Sequence, residues 1–367
     1  MDRHKMDIGV LPDKFITELV ANGEIIADCP LAEDQVQPSS LDLRLSAKAY
    51  RVSASFLPKA EDLVLDRIER FKLHEIDLLE GAVLEANCVY IVPLMESLKL
   101  QGGMYAYANP KSSIGRIDVL VRVLVDRHSQ FDSIPANYCG RLYLEILSLS
   151  FPITIRSGSR LSQLRFMYKR EVFSKEKLLL LHQEKPLIQG GIVDFSDEGI
   201  ALSVNLKGEG NSGQIIGYRS KRHTAAIDVD SKKAYDIADF WDPLYSQEGY
   251  GLVLYPNEFY ILASQEFVQI PPLIVAEMCP YNPLIGEFRV HYAGFFDPGF
   301  GYAEGSGAKA VLEVRSYVPF FLEHSQIIGR LRYESMMKKP ENLYGDTRGS
   351  NYQAQGLKLS KHFRAIE

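Results

Sequence analysis

One sequence frame occurs twice in this chain, about 170 residues apart, and this constrains the fold more than any other feature. Val83-Leu84 followed by Tyr90-Ile91-Val92 returns as Val253-Leu254 followed by Tyr260-Ile261-Leu262. Gly140-Arg-Leu-Tyr-Leu-Glu145 returns as Gly307-Ala-Lys-Ala-Val-Leu-Glu313, and Ser162-Gln163-Leu164-Arg165-Phe166 as Gly329-Arg330-Leu331-Arg332-Tyr333. The matches keep one order and nearly one offset, so they imply two copies of a domain. The period far exceeds the roughly 20–50 residues of solenoid repeats, which leaves a tandem pair of globular domains. At 367 residues the chain is long enough to give each copy a core.

Periodicity makes both copies mainly β. Leu41-Asp-Leu-Arg-Leu45, Leu142 to Ile146 and Val311-Leu-Glu-Val-Arg315 alternate, and Gly or Pro punctuates the chain at short intervals. Many short strands with frequent turns predict a barrel or sandwich in each half. One helix is clear: Pro12-Asp13 opens it, Phe15, Ile16, Leu19 and Val20 form its stripe, and Asn22-Gly23 closes it. Residues 176–190 read equally as strand, helix or connection. The expected division is therefore 1–187, 188–338 and a polar, glycine-containing flexible tail at 339–367.

Hydrophobic residues make up 46% of the chain and charged residues 24%, ordinary for a soluble protein. A formal net charge of −6 gives no general nucleic-acid footprint, so any anion site must be a local cluster. No apolar run approaches a membrane span, and Met-Asp-Arg-His-Lys at the start lacks the apolar core of a signal peptide. A cytoplasmic protein is expected, with neither nucleic-acid nor membrane partner. Cys29, Cys88, Cys139 and Cys279 are far apart and form no Cys-x-x-Cys pair, which predicts four isolated buried thiols.

The copies differ where chemistry is concentrated. Pro110-Lys-Ser-Ser-Ile-Gly-Arg116 offers two hydroxyls and a guanidinium in one short loop, donors suited to a polyanion. At 282–287 the second copy reads Asn-Pro-Leu-Ile-Gly-Glu, with Pro283, Leu284 and Glu287 in place of Ser112, Ser113 and Arg116. Alone, such a loop is more often only a turn with a surface charge.

Its surroundings change that reading, because the chain resembles the dCTP deaminase / dUTPase superfamily, and within it the dCTP deaminases. A short helix ending in Asn-Gly-Glu-Ile precedes Gln37-Pro-Ser-Ser-Leu-Asp-Leu-Arg-Leu45, which looks like the family's first strand motif. Lys111-Ser-Ser-Ile-Gly-Arg116 is similar to its serine motif, and Ala293-Gly-Phe-Phe-Asp-Pro-Gly-Phe300 to its nucleoside-binding hairpin. Asn351-Tyr-Gln-Ala-Gln-Gly356 resembles its phosphate-closing tail. The resemblance implies two dUTPase-like β-barrel domains and deamination of dCTP to dUTP and ammonia. It gives Glu313 the acid/base role, with Glu145 as the equivalent candidate in the first copy. Ser112 would orient water, and Arg116 would hold the glutamate and the intermediate. The Ala293 backbone would read the base and Asp297 the sugar. Lys111, Ser113, Gln163, Arg348, Tyr352, Gln353 and Gln355 would bind the rest of the nucleotide, with Mg²⁺ bridging the phosphates and no metal ligated by protein alone. It also implies dTTP as a candidate feedback inhibitor and a homo-oligomer, dimer or trimer. Zinc chemistry is not expected, because no second cysteine stands at Pro-Cys-x-x-Cys spacing and no His-x-Glu accompanies Cys279.

The departures from the family pattern are complementary. The first copy keeps the serine motif and Glu145, but Val125 to Asn137 replaces the hairpin; the second keeps the hairpin and Glu313 without the serine motif. A composite site of Ser112, Ser113 and Arg116 with Ala293, Asp297 and Glu313 is the working expectation. The alternative is a homotypic arrangement in which Ser112 meets Glu145 of another chain. A dUTP diphosphatase or bifunctional enzyme, and a catalytically dead nucleotide-binding regulator, also remain open.

Overall fold

Each copy of the duplicated sequence folds with the same strand order. The structure is a computed structural model describing residues 8–208, 213–280, 288–291, 294–302, 305–346, 352–353 and 355–364. The chain divides into two units: the first runs to Arg170 and includes His223–Lys232 and Met336–Glu341, and the second holds Glu171–Arg222, Lys233–Ser335 and Asn342 onward.

In the first unit one sheet runs Lys72–Asp77, Lys48–Val52, Val89–Lys99, Cys139–Ser148, Val119–Val125, with Ile25–Ala27 paired to Val89–Lys99. In the second unit the order is Trp241–Tyr245, Ile215–Ser220, Phe259–Val268, Ala308–Ser316, Phe288–His291, with Ile188–Gln189 paired to Phe259–Val268. The facing sheets correspond as well: Ser133–Ile134, Tyr105–Pro110, Arg160–Met167, Ser40–Arg44, Val36–Gln37 against Phe295–Phe296, Ile274–Pro280, Ile327–Ser335, Gly199–Ser203, Phe195–Ser196. Individual contacts repeat. Tyr90 Oη accepts from the Glu85 N–H at 3.1 Å, and Tyr260 Oη from the Tyr255 N–H at 2.9 Å. Buried Glu96 accepts from the Arg44 N–H at 2.8 Å, and buried Glu266 from the Ser203 N–H at 2.9 Å. Burial pushes the Glu266 carboxyl up, opposed by its hydrogen bonds from Ser203.

The first helix is Asp13–Ala21, with Ile16 and Leu19 buried, and Gly23 takes a φ of 71° that closes it. Its counterpart is Lys175–Glu184, N-capped by the Ser174 hydroxyl. The expected boundary at Leu187 therefore falls inside the second unit. Phe173, Leu178, Leu187 and Ile188 belong to that unit's core, which the unpatterned leucine run at 178–181 concealed. The segment read as a flexible tail is packed where described. Tyr352, Leu359 and Phe363 are buried in the second unit, and Phe363 meets Phe240 and Trp241 edge-on. No disulfide joins the four cysteines, but none is fully buried as expected: Cys29 and Cys139 are exposed, and Cys88 and Cys279 are half-buried. Cys139 is the first residue of its strand and Cys29 follows the end of another, so neither reaches a core. No helix among the described residues is long and apolar enough to cross a membrane.

The first unit also receives a strand from later in the chain. Ile227–Asp228 pairs in parallel with Ile153–Ile155. Arg156 clamps it, donating to both Asp228 oxygens at 2.9 and 2.7 Å and to Asp230 at 2.6 Å. The Arg156 hydrogen bonds hold the Asp228 carboxyl at about 2. A carboxyl depressed in the folded state stabilises above its unfolded value, and that contribution fades as pH falls through the folded one. Both side chains are partly solvated, so Asp228→Asn is expected to cost only about 1 kcal/mol near neutral pH. The melting difference from the parent should close as pH drops from 3.8 through about 2. A difference that persists at the acid end would assign the loss to something other than this pair.

Candidate active site

In the first unit, Tyr105–Pro110 delivers the chain into a single turn of helix, Ser112–Gly115. The Lys111 N–H donates to Leu161 O at 2.9 Å, and the Lys111 carbonyl accepts from the Ile114 and Gly115 N–H groups at 2.8 and 3.2 Å. Ile114 anchors the turn in the core, while Ser113 and Arg116 are buried beside it, Arg116 at 4% exposure. Arginine is rarely buried without a partner group, so the guanidinium is held inside the unit rather than left in solvent.

Five further residues gather around the motif. The Lys111 ammonium forms an ion pair with buried Asp42, and Arg160 approaches the same carboxylate at 3.7 Å. Arg160 also donates to Asp34 at 2.7 Å and holds that carboxyl below its usual range. Gln163 accepts from the Ser40 hydroxyl at 3.1 Å and donates to Pro110 O at 3.4 Å. Lys111 and Gln163, expected at the phosphates, are thus brought together. Ser40, Asp42 and Arg160 were not anticipated. The signal was present in Ser40-Leu-Asp-Leu-Arg44: alternation puts Leu41 and Leu43 on one face and Ser40, Asp42 and Arg44 on the other, yet all five are buried. A strand buried on both faces needs partners for its charged residues: Arg44 has Glu96, and Asp42 has Lys111.

The second unit has lost this set. Asp42 pairs in register with Gln163; at the same place Ala201 pairs with Arg330. Ser40 corresponds to Gly199, and Arg330 is committed to Asp194 at 2.6 Å. The degenerate loop 282–287 lies outside the described residues.

The two carboxylates hold equivalent positions on equivalent strands. Glu145 lies opposite Ile91, Glu313 opposite Ile261, and both are buried. Their other strand neighbours differ. Arg122 is the register partner of Glu145, and His291 that of Glu313. Arg122 forms an ion pair with Glu145, its Nε donating to Oε1 at 3.0 Å.

Asp297, 9% exposed, opens the second unit's hairpin turn, and its carbonyl accepts from the Phe300 N–H at 3.1 Å. Gly299 there has a φ of 99°, and a Cβ would sit 2.9 Å from Leu343 Cβ, so glycine is required. Gln353 packs on this turn, donating to Gly299 O at 3.3 Å and accepting from the Gly301 N–H at 3.4 Å. Gln355 donates to Lys309 O at 3.0 Å, and Tyr352 Oη accepts from the Lys361 N–H at 3.2 Å. The tail residues expected at the phosphates therefore dock on the hairpin's own unit. Ala293, Arg348 and Asn351 lie outside the described residues.

A family model described as "2'-deoxycytidine 5'-triphosphate deaminase (DCD) N-terminal domain" matches residues 7–170, and one described as the C-terminal domain of the same enzyme matches 174–363. The chain belongs to the dCTP deaminase family. Its two β units are that family's N- and C-terminal domains, in a long form. The crystal structure of 2'-deoxycytidine 5'-triphosphate deaminase from Agrobacterium tumefaciens is similar at 55% identity and a TM-score of 0.88, covering 93% of this chain and 99% of that one. Shorter relatives match less than half of the chain. "dCTP deaminase, dUMP-forming" from Coprothermobacter proteolyticus is 28% identical over 43% of this chain and 81% of its own length. "dCTP deaminase" from Acidianus ambivalens is 24% identical over 43% and 83% respectively.

Proposed function

We propose that the chain hydrolyses dCTP to dUTP and ammonia, using Glu313 with Ser112 and Arg116. The observation that favours the second copy's glutamate is that the equivalent first-copy carboxylate, Glu145, is held in an ion pair by Arg122, while the hairpin sequence of the family pattern, Ala293 to Phe300, stands only in the second copy. Glu313 takes a proton from the attacking water as oxygen adds at C4 and passes it to the ring nitrogen N3; it then takes the proton of the new C4 hydroxyl and passes it to the amine, which leaves as ammonia while C4=O forms. Ser112 orients the water, and Arg116 stabilises charge that develops in the tetrahedral intermediate. Lys111 and Gln163 hold the triphosphate, which brings Mg²⁺ as part of the substrate, and Asp297 receives the sugar hydroxyl.

Incubation with Mg²⁺ and dCTP should release ammonia and dUTP in equal amounts, with no pyrophosphate. Zinc-selective chelation should leave the rate unchanged; a loss restored by added Zn²⁺ would overturn the water activation proposed for Glu313. The dUMP-forming relatives support a second reading, in which Asp297 also serves hydrolysis of the triphosphate. Pyrophosphate released with ammonia would establish it. Binding of dCTP without ammonia would make the chain a regulator.

The tail adds a further expectation. Gln353 bonds the backbone at Gly299 and at Gly301, so it positions the hairpin turn as well as the tail. Gln353→Ala should raise KM for dCTP about tenfold, the equivalent of about 1.4 kcal/mol for two modest hydrogen bonds. An unchanged KM would remove the tail from substrate binding.

A further inference from the structure

In the first unit an arginine stands against Glu145, the equivalent of Glu313. Both the Nε and a terminal nitrogen of Arg122 are directed at Glu145 Oε1, and the guanidinium lies 3.8 Å from the centre of the Phe131 ring. Arg122 also donates to the Ser55 hydroxyl at 3.2 Å. A planar cation against an aromatic face and a buried carboxylate occupies the place where a cytosine ring would need that carboxylate.

The surrounding loops are tied down. Phe131 lies within Val125 to Asn137, the stretch that replaces the hairpin. Asp126 accepts from the Val64 N–H at 2.8 Å, and the Arg127 N–H donates to Asp62 O at 2.9 Å, joining this stretch to the start of helix Val64–Phe71. Asp132 accepts from the Val123 N–H at 2.8 Å and closes the other end. Val64 and Ile68 pack into a cluster with Val52, Ile91, Leu124 and Tyr143, against which Phe56, Phe71 and Phe131 rest. Entry of a base would have to strip the guanidinium from a carboxylate of 1% exposure and break this packing. Separation of such a pair weakens binding on the order of 10²-fold or more.

We infer that the first copy's nucleoside pocket is closed by the chain's own Arg122 and Phe131, so that each chain binds one dCTP although it carries two deaminase-like domains. The inference rests on the proposed function for the identity of the ligand but not for the clamp itself.

Two measurements test it. Calorimetric titration of the Glu313→Gln chain with Mg²⁺ and dCTP, which suppresses turnover, should give one nucleotide per chain; two per chain would overturn the inference. If that variant is unstable, the parent titrated with dUTP gives the same count. Independently of any nucleotide, Arg122→Ala and Glu145→Gln should each lower the melting temperature by several degrees, and the double variant should lose clearly less than the sum. Additive losses would show that no clamp exists. A parent that binds one nucleotide and releases no ammonia would overturn the proposed function and leave this inference standing.

Discussion

Glu313→Gln is expected to lower kcat for dCTP deamination on the order of 10²–10⁴-fold, the range for loss of a general acid/base. Glu145→Gln should keep kcat within a few-fold of the parent. The amide is isosteric and still hydrogen-bonds, but it cannot take a proton from water and return it to the substrate. Both glutamates are buried at the same register of equivalent strands, so burial alone would not separate them. The neighbours do. Glu145 is held by a guanidinium that itself rests on Phe131 and bonds Ser55, and it would have to leave that pair before it could serve a substrate. Steady-state kinetics on both variants, with melting curves as the control for folding, decide the matter. An inactive Glu145→Gln beside an active Glu313→Gln would assign catalysis to the first copy and support the homotypic arrangement.

The duplication and the β class were legible because they are written in local order: strand periods, turn residues, and one offset shared by several matches. The serine motif and Gln163 were legible for the same reason, since each is a short contiguous string. What escaped notice depends on pairing between distant strands. Asp42 meets Lys111 across 69 residues, and Arg122 meets Glu145 across 23. Such pairs show no period within either strand. The domain boundary was misplaced for a different reason. Only Leu178 of helix Lys175–Glu184 is fully buried, so four consecutive leucines gave no stripe to identify it as the counterpart of Asp13–Ala21. The tail was read as flexible from its glycines and polar residues, but Tyr352 and Phe363 supply enough buried aromatic surface to fix it.

Arg116→Ala and Ser112→Ala are each expected to lower kcat by about 10²-fold or more, the usual cost of removing a donor aimed at transition-state charge. The two variants carry different risks. Arg116 is 4% exposed, and its deletion leaves a space beside Ile114, so part of any loss could come from the turn itself. Ser112 is only half-buried at the first position of the turn, and the main-chain bonds that shape the turn run through Lys111 and do not need its hydroxyl. Ser112→Ala should therefore fold and melt like the parent while losing turnover, which makes it the cleaner probe. Arg116→Lys keeps the charge but loses the planar fork, and should recover little activity if two-point donation matters. Pro283 and Glu287, at the equivalent positions of the second copy, should tolerate substitution with little change in rate. Near-normal turnover in Ser112→Ala and Arg116→Ala together would reduce the motif to a structural turn and remove the chemical basis of the proposed function.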